Sequence, residues 1–304
     1  MKDVIVIGAG FWGSAVARKL KKAGLSYAVV DDGNMASGTR NSGAYTCLRW
    51  FDSDTITKHL PLHWTKNKVR KWVRWLEKND YLEPVGQWTY NKARDTWKRT
   101  DDCYLMRDVS AFSNRTKAIP GKAVAIGMHK DFCIVSLENN SLYGRHVVVA
   151  AGIWTDSILQ KSNLPLSGVQ ALGGRALILK PQKKHIFQND KYDIDEWKNE
   201  VISINVRPFK NFDLLPNSKN WWYFGATTER EESDKAYDEM VRAGIDLVGE
   251  TQVTKTLTGF RPIMPEGVKR INDKVIVATG GARIGLALAG SAADDVIKLI
   301  KESW

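Results

Sequence analysis

The sequence has few cysteines and no long apolar run, the features on which disulfide-rich and membrane-spanning proteins depend. Its 304 residues include three cysteines, Cys47, Cys103 and Cys133, which have no metal-like spacing and cannot all pair in disulfides. This indicates a reducing, intracellular setting. No apolar run approaches the ~20 residues of a membrane-spanning helix. A strand pattern begins directly at the N-terminus, so we expect no signal peptide, no membrane contact and a cytoplasmic protein. We also expect no metal site.

Acidic residues are in deficit relative to basic ones. The chain has 45 Lys and Arg against 34 Asp and Glu, a net charge of +11, and 12 tryptophans. Excess positive charge favours binding to nucleic acid or to an acidic partner. A basic protein that is merely soluble is the simpler alternative, and both interpretations stay open.

The N-terminal segment carries the clearest motif. Val4–Ile7 is a short β-branched run that predicts a buried strand, and it leads into a G-x-G-x-x-G motif formed by Gly8, Gly10 and Gly13. The first glycine permits a tight turn, the second lets the backbone approach a pyrophosphate, and the third lets helix and strand pack closely. A following helix, a second strand and Asp31 at its end complete a nucleotide-binding pattern, in which the Asp31 carboxylate is placed for a ribose.

A helix predicted over Leu60–Lys78 has two distinct faces. Its apolar residues share one arc and are expected in the core: Leu62, Val69, Trp72, Val73 and Leu76. A neighbouring arc combines aromatic rings with lysines: Trp64, Lys68, Lys71 and Trp75. Planar rings beside ammonium groups suit bases and phosphates, so this arc is predicted to bind nucleic acid. A second layer over the tryptophans, with the lysines simply solvated, is the alternative.

Four separated motifs then follow one another along nearly the whole chain. They are Val4–Gly13 with Asp31, the Ser37–Gly43 loop, Val147–Trp154, and Gly259–Pro262 with Ala278–Leu286. Gly225–Glu229 is a fifth, softer match. Together these residues resemble the FAD-dependent D-amino-acid-oxidase superfamily, and most of all its glycine-oxidase and sarcosine-oxidase branch.

The resemblance implies an α/β fold with two interleaved parts. A Rossmann-like, glutathione-reductase-like FAD-binding domain is expected over residues 1–80, 108–167 and 255–304. A β-rich substrate or cap domain is expected over residues 81–107 and 168–254. Within the last part of the chain, the sequence predicts a turn-rich loop over Thr258–Gly267.

The resemblance also implies FAD as the cofactor. In this family the first motif holds the pyrophosphate, the acid after the second strand holds the ribose, and the glycine-rich turn before the last helix lies against the flavin ring. The cofactor-binding residues that it implies are Gly8, Gly10, Phe11, Trp12, Gly13, Asp31, Asp32, Ser37, Thr39, Arg40, Asn41, Ser42, Gly43, Val124, Ala150, Ala151, Gly152, Trp154, Gly259, Arg261, Gly281, Ala282, Arg283, Ile284, Gly285 and Leu286.

Three residues are candidates for the substrate side of the site. Arg261 falls where glycine-oxidase-like enzymes place an arginine that pairs with the substrate carboxylate, and a planar guanidinium matches two carboxylate oxygens. Arg283 lies in the turn that faces the flavin, and Tyr223 is expected near the substrate. Surface ion pairs for the arginines, and packing for the tyrosine, are the structural alternatives.

These expectations define a reaction and three hypotheses about function. We predict an amine or amino-acid oxidase that oxidises a glycine-like amine by hydride transfer to flavin N5. The positive charge favours an amine that is carried on a base of DNA or RNA. The 36–45 loop is similar to that of tRNA wobble-uridine modification enzymes, and the whole chain resembles phage thymine-hypermodification flavoenzymes, which favours the same substrate. One possible setting is a phage-encoded protein that acts in the host cytoplasm. A free amino acid such as glycine or sarcosine is one alternative, and a non-catalytic FAD- or nucleic-acid-binding protein is another.

Overall fold

The computed structural model describes residues 1–34, 37–52, 61, 63–91, 96–106, 108–181, 201–207, 210–218, 221–226, 237–243 and 251–304. The strands in these ranges are β1 (Lys2–Ile7), β2 (Tyr27–Asp31), β3 (Tyr45–Cys47), β4 (Glu83–Asn91), β5 (Thr96–Leu105), β6 (Ile119–Pro120), β7 (Ala123–Met128), β8 (Cys133–Leu137), β9 (Ser141–Val149), β10 (Gln170–Pro181), β11 (Val201–Arg207), β12 (Lys210–Ser218), β13 (Trp221–Gly225), β14 (Thr251–Ile263), β15 (Val268–Arg270) and β16 (Val275–Ala278).

The helices in the same ranges are α1 (Phe11–Lys22), α2 (Lys66–Lys78), α3 (Val109–Asn114), α4 (Thr155–Lys161), α5 (237–243) and α6 (Gly285–Glu302). Short 3-10 turns cover Leu48–Asp52, Gly152–Trp154 and Ala282–Ile284. Of the helices that the structure describes, none combines the length and the apolar character that crossing a membrane requires.

The first sheet has the strand order β15-β16-β9-β1-β2-β6, and the β7–β8 hairpin joins it at β9. Strands β16, β9, β1, β2 and β6 run parallel. Both faces of β1 are covered, which explains its uninterrupted β-branched sequence. Val4 and Val6 pack in the core with α1 and α6, whereas Ile5 and Ile7 face the core formed with the β7–β8 hairpin and α4.

The second sheet has the order β14-β10-β13-β12-β11-β4-β5-β3 and is antiparallel except where β11 pairs with β4. Its longest contact is the β10–β14 ladder, which runs from Gln170 opposite Ile263 to Pro181 opposite Thr251. The two sheets confirm the predicted α/β class with a β-rich second layer. The domain boundaries proposed above stay a prediction.

Two local expectations are wrong. The helix predicted from Leu60 begins only at Lys66, with Thr65 at the N-cap position, so Pro61 and Trp64 precede it. The turn-rich loop predicted from Thr258 is the end of β14 as far as Ile263, because the ladder with β10 continues through its glycine and proline residues. Leu60 and Leu62 lie outside the described residues.

Three tryptophans donate their indole N–H groups to the C-terminal helix α6. Trp12 donates to the carbonyl of Gly285 at 2.8 Å and Trp72 to that of Leu286 at 2.9 Å. Trp64 donates to the Asp295 carboxylate at 2.6 Å. Because all three rings are buried, each bond satisfies a donor that would otherwise be left without water. The tryptophans thus hold α6 against the N-terminal part of the chain.

We predict that Trp72→Phe lowers the free energy of unfolding by about 1–3 kcal/mol, because it removes the donor to Leu286 and part of a buried ring. Trp75→Phe on the same helix is the control, since Trp75 is half-exposed. Denaturant unfolding followed by circular dichroism measures both values. An equal loss of stability in the two variants would contradict the role given to the Trp72 hydrogen bond.

Candidate functional site

A cavity of about 740 Å³ lies at the carboxyl ends of β1, β2, β9 and β16, facing strands of the second sheet. This is the edge of a parallel sheet at which nucleotides bind in open α/β folds. Of the residues predicted to bind the cofactor whose side chains the structure describes, all line this cavity except Gly13 and Ile284, and Tyr223 lines it too. The structure therefore brings the separate motifs to one place. Which of these residues touch FAD stays a prediction.

The G-x-G-x-x-G turn lets helix α1 and the end of β9 pack closely against β1 at the edge of the cavity. Gly8 has a φ of +101°, and a Cβ there would overlap the Ala150 carbonyl. A Cβ on Gly13 would overlap the Gly8 carbonyl oxygen, so this glycine lets α1 lie directly on β1 without itself lining the cavity. Gly10 and Phe11, where α1 begins, border the cavity. First-turn N–H groups of a helix have no intrahelical acceptor, so this end of α1 suits a pyrophosphate.

Asp31 organises the backbone around the same turn. Its carboxylate accepts hydrogen bonds from the N–H of Ala9 at 2.7 Å and from that of Gly33 at 2.9 Å. Arg40 approaches it at 3.5 Å. A carboxylate has about four acceptor positions, so Asp31 retains capacity for a ribose hydroxyl while holding the turn.

The loop after β2 is pressed against β14. The Asn41 amide donates to the carbonyl of Thr258 at 2.8 Å. A Cβ on Gly38 would come 2.6 Å from the Phe260 carbonyl oxygen, and one on Gly43 would come 3.0 Å from the Tyr223 ring. The glycines of this loop therefore let its backbone line the cavity beside the second sheet.

The turn before α6 closes the cavity from the opposite side. Ile263 at the end of β14 forms an isolated bridge with Gly281. Arg261 lies two residues earlier on the same strand and lines the cavity. Ile284 is buried beneath the turn, and the side chain of Arg283 lies outside the described residues. Arg261 and the glycine-rich turn therefore line the same cavity.

Sequence reasoning missed Thr279. It lines the cavity, and its buried hydroxyl has no hydrogen-bond partner in the part of the chain that the structure describes. A buried hydroxyl without a partner is costly, so a polar bound group that satisfies it fits this site. The Ala278–Leu286 motif predicts that the turn contacts the cofactor, but it does not single out Thr279 within the turn. Three further lysines line the cavity and were also missed: Lys117, Lys122 and Lys161.

The features above fit a bound dinucleotide. The cavity has the size range of cofactor sites. It offers a helix N-terminus approached through glycines, an acidic acceptor at the end of β2, and a hydroxyl without a partner near the final turn.

The predicted nucleic-acid arc needs one correction. Trp64 lies outside helix α2, is only 5% exposed, and packs edge-on against Trp12 with ring centroids 5.8 Å apart. Because the ring is buried, it cannot stack on a base. Lys68 and Lys71 are exposed as predicted, and Trp75 is 38% exposed.

The chain matches a described protein family over almost its whole length. The family DAO, described as "FAD dependent oxidoreductase", matches residues 3–106 and 114–299. No curated protein sequence matches this chain.

Solved structures share the fold at low sequence identity. Iminodiacetate oxidase from Chelativorans sp. BNC1 superposes with a TM-score of 0.73 at 14% identity, covering 98% of this chain and 95% of its own. Glycine oxidase from Bacillus cereus ATCC 14579 gives 0.73 at 14% identity, with 100% and 98% covered. L-proline dehydrogenase from P. horikoshii gives 0.74 at 14%, with 99% and 93% covered.

We predict that Gly13→Ala abolishes cofactor retention, because the added methyl overlaps the Gly8 carbonyl and pushes α1 off β1. The measurement is the ratio of flavin absorbance to protein after purification and after titration with FAD. Gly127→Ala is the control, since its Cβ would make only an ordinary 3.7 Å contact with Ile134. Full FAD content in Gly13→Ala would refute this account of the close packing.

Proposed function

Because the chain belongs to the DAO family of FAD-dependent oxidoreductases, we propose that it oxidises a small amine that carries a carboxylate group. The observation that carries this proposal is the position of Arg261. It lines the same cavity as the cofactor motifs, two residues before the strand reaches the glycine-rich turn at Gly281. Iminodiacetate, glycine and L-proline, which name the three neighbours above, are all amines that bear a carboxylate.

We assign the cofactor to this cavity from residues of both ends of the chain. The start of α1 would hold the pyrophosphate and Asp31 the ribose, and the loop after β2 and the turn before α6 would contact the flavin. FAD, when bound, supplies the acceptor for the hydride. The remaining work of binding, orientation and water exclusion falls to the protein.

Arg261 binds and orients the substrate in this proposal. A guanidinium donates two parallel hydrogen bonds to a carboxylate, which fixes the direction of the carbon that is oxidised. Pairing also offsets the carboxylate charge, which otherwise favours the protonated amine. Only a neutral amine can lose hydride, so this pairing raises the reactive fraction. Leu215 and Leu257 line the same cavity, where their apolar side chains would help to exclude water.

The group that bears the amine has two candidate identities. A free amino acid needs only Arg261 and the cofactor. A glycine-like amine carried on a nucleic-acid base is the second candidate, and the exposed lysines of α2 together with the net charge of +11 favour it. Arg283 and Tyr223 are proposed as further contacts to the substrate in either case.

The test of Arg261 compares two arginines on neighbouring strands. In Arg261→Met we expect FAD binding to persist and the affinity for carboxylate amines to fall by about 100-fold, because a charge-assisted bidentate pair is lost. Arg175→Met on β10 is the control, since Arg175 lies between two cavity-lining residues but does not line the cavity itself. Anaerobic bleaching of the flavin by glycine, sarcosine or iminodiacetate provides the readout.

Unchanged bleaching in Arg261→Met would remove the carboxylate assignment. An absence of bleaching with every amine, free or carried on nucleic acid, would instead favour a non-catalytic flavoprotein.

The two substrate classes are separated by mass spectrometry of nucleosides. We expect that nucleic acid bearing a glycine-modified base loses mass at that base after incubation with the flavin-loaded protein. Nucleic acid without the modification is the control. If the modified base is unchanged while a free amino acid bleaches the flavin, the second candidate is wrong.

A further inference from the structure

We propose that a surface distinct from the cavity binds a single strand of nucleic acid. This basic stripe consists of Lys68, Lys71, Trp75 and Lys78 on α2, followed by Tyr81 and Arg115. The four helical residues are spaced by three, four and three positions and so lie on one face. The stripe deepens the second candidate function, which needs a carrier, but it concerns binding alone.

The cations of the stripe are not neutralised by the protein. Lys68, Lys71, Lys78 and Arg115 are exposed, and none has a carboxylate within 4.0 Å among the residues that the structure describes. Elsewhere the same chain does pair its charges, as with Lys19 and Asp294 at 2.6 Å. The positive charge of the stripe is therefore available to an anionic partner.

Helix α2 carries six Lys and Arg residues and one acidic residue, Glu77. Its first turn holds no acidic residue, although acids are favoured at the positive end of a helix dipole. Arg70, Arg74 and Lys78 follow one another at four-residue spacing, where like charges repel.

Aromatic rings connect the helical part of the stripe to Arg115. Trp75 stacks on Tyr81 with ring centroids 6.0 Å apart, and the Arg115 guanidinium lies 4.9 Å from the Tyr81 ring. Arg115 and Arg18 both donate to the Tyr81 hydroxyl, at 3.0 and 3.3 Å. Burial raises the pKa of this hydroxyl, but the two guanidiniums outweigh burial and hold the pKa below its ordinary value.

The dimensions and chemistry favour a nucleic-acid strand over other anions. Lys68 to Lys78 span roughly 15 Å along the helix. That length matches about four phosphates of a stacked strand at roughly 3.4 Å each. Trp75 already stacks on Trp72 and on Tyr81, and the 38% of it that remains exposed is the part that a base can contact. An acidic peptide would gain little from such an aromatic contact. Ser113 and Asn114, next to Arg115, line the cavity, so the stripe ends at its rim.

The test is fluorescence anisotropy of a short fluorescein-labelled thymidine strand with the flavin-loaded protein. We expect the triple variant Lys71→Gln/Lys78→Gln/Arg115→Gln to bind at least about tenfold more weakly. The slope of log binding constant against log salt concentration should become shallower by about 2, because each of three lost phosphate contacts contributes roughly 0.7. The control triple Lys21→Gln/Lys22→Gln/Lys301→Gln removes the same charge from exposed positions on α1 and α6 and should change affinity by less than about twofold.

Several outcomes would overturn the proposal. These are no binding by the natural sequence at low salt, equal weakening in the two triple variants, tighter binding of a duplex, or competition by polyglutamate as strong as that by the unlabelled strand. Melting temperature and flavin content check that the variants fold. If the triple variant does not fold, Lys71→Gln and Lys78→Gln singly should each weaken binding about two- to threefold. Oxidation assays with free amines are separate, so failure of the proposed reaction is distinguishable from failure of this surface.

Discussion

The hydrogen bond from the Trp12 indole to the Gly285 carbonyl joins residues 273 positions apart. It connects the glycine-rich turn that opens α1 with the turn that opens α6, and both turns line the cavity. The two segments meet closely, because a Cβ on Gly281 would come 2.9 Å from the indole ring. The width of the cavity therefore depends on contact between the two ends of the chain.

The same contact gives the high tryptophan content a structural meaning. Trp12, Trp64 and Trp72 bury their rings between helices and give their N–H groups to α6. An indole suits this position because it fills a large volume and still offers one donor. Trp75 is different, since it is half-exposed among lysines. Composition alone cannot distinguish these four tryptophans, whereas the structure places three of them in the core against α6 and one at the surface.

How much could be predicted from the sequence depends on how local each feature is. The β1-α1-β2 unit follows from short-range periodicity and three glycines, so both the element types and Asp31 were predicted. The strand character of Gly259–Pro262 was not, because it is imposed by β10, which lies far away in the sequence. The burial of Trp64 depends on Asp295, 231 positions away, and the missing partner of Thr279 can be recognised only in three dimensions.

The central claim is that one cavity, built from both ends of the chain, holds FAD with Arg261 beside its ring. A crystal structure of the FAD-loaded protein with a carboxylate ligand tests this claim most directly. The account predicts the flavin ring against Gly281–Leu286 and a bidentate contact between Arg261 and the ligand carboxylate. Electron density for FAD elsewhere, or an Arg261 side chain directed away from the ring, would contradict it.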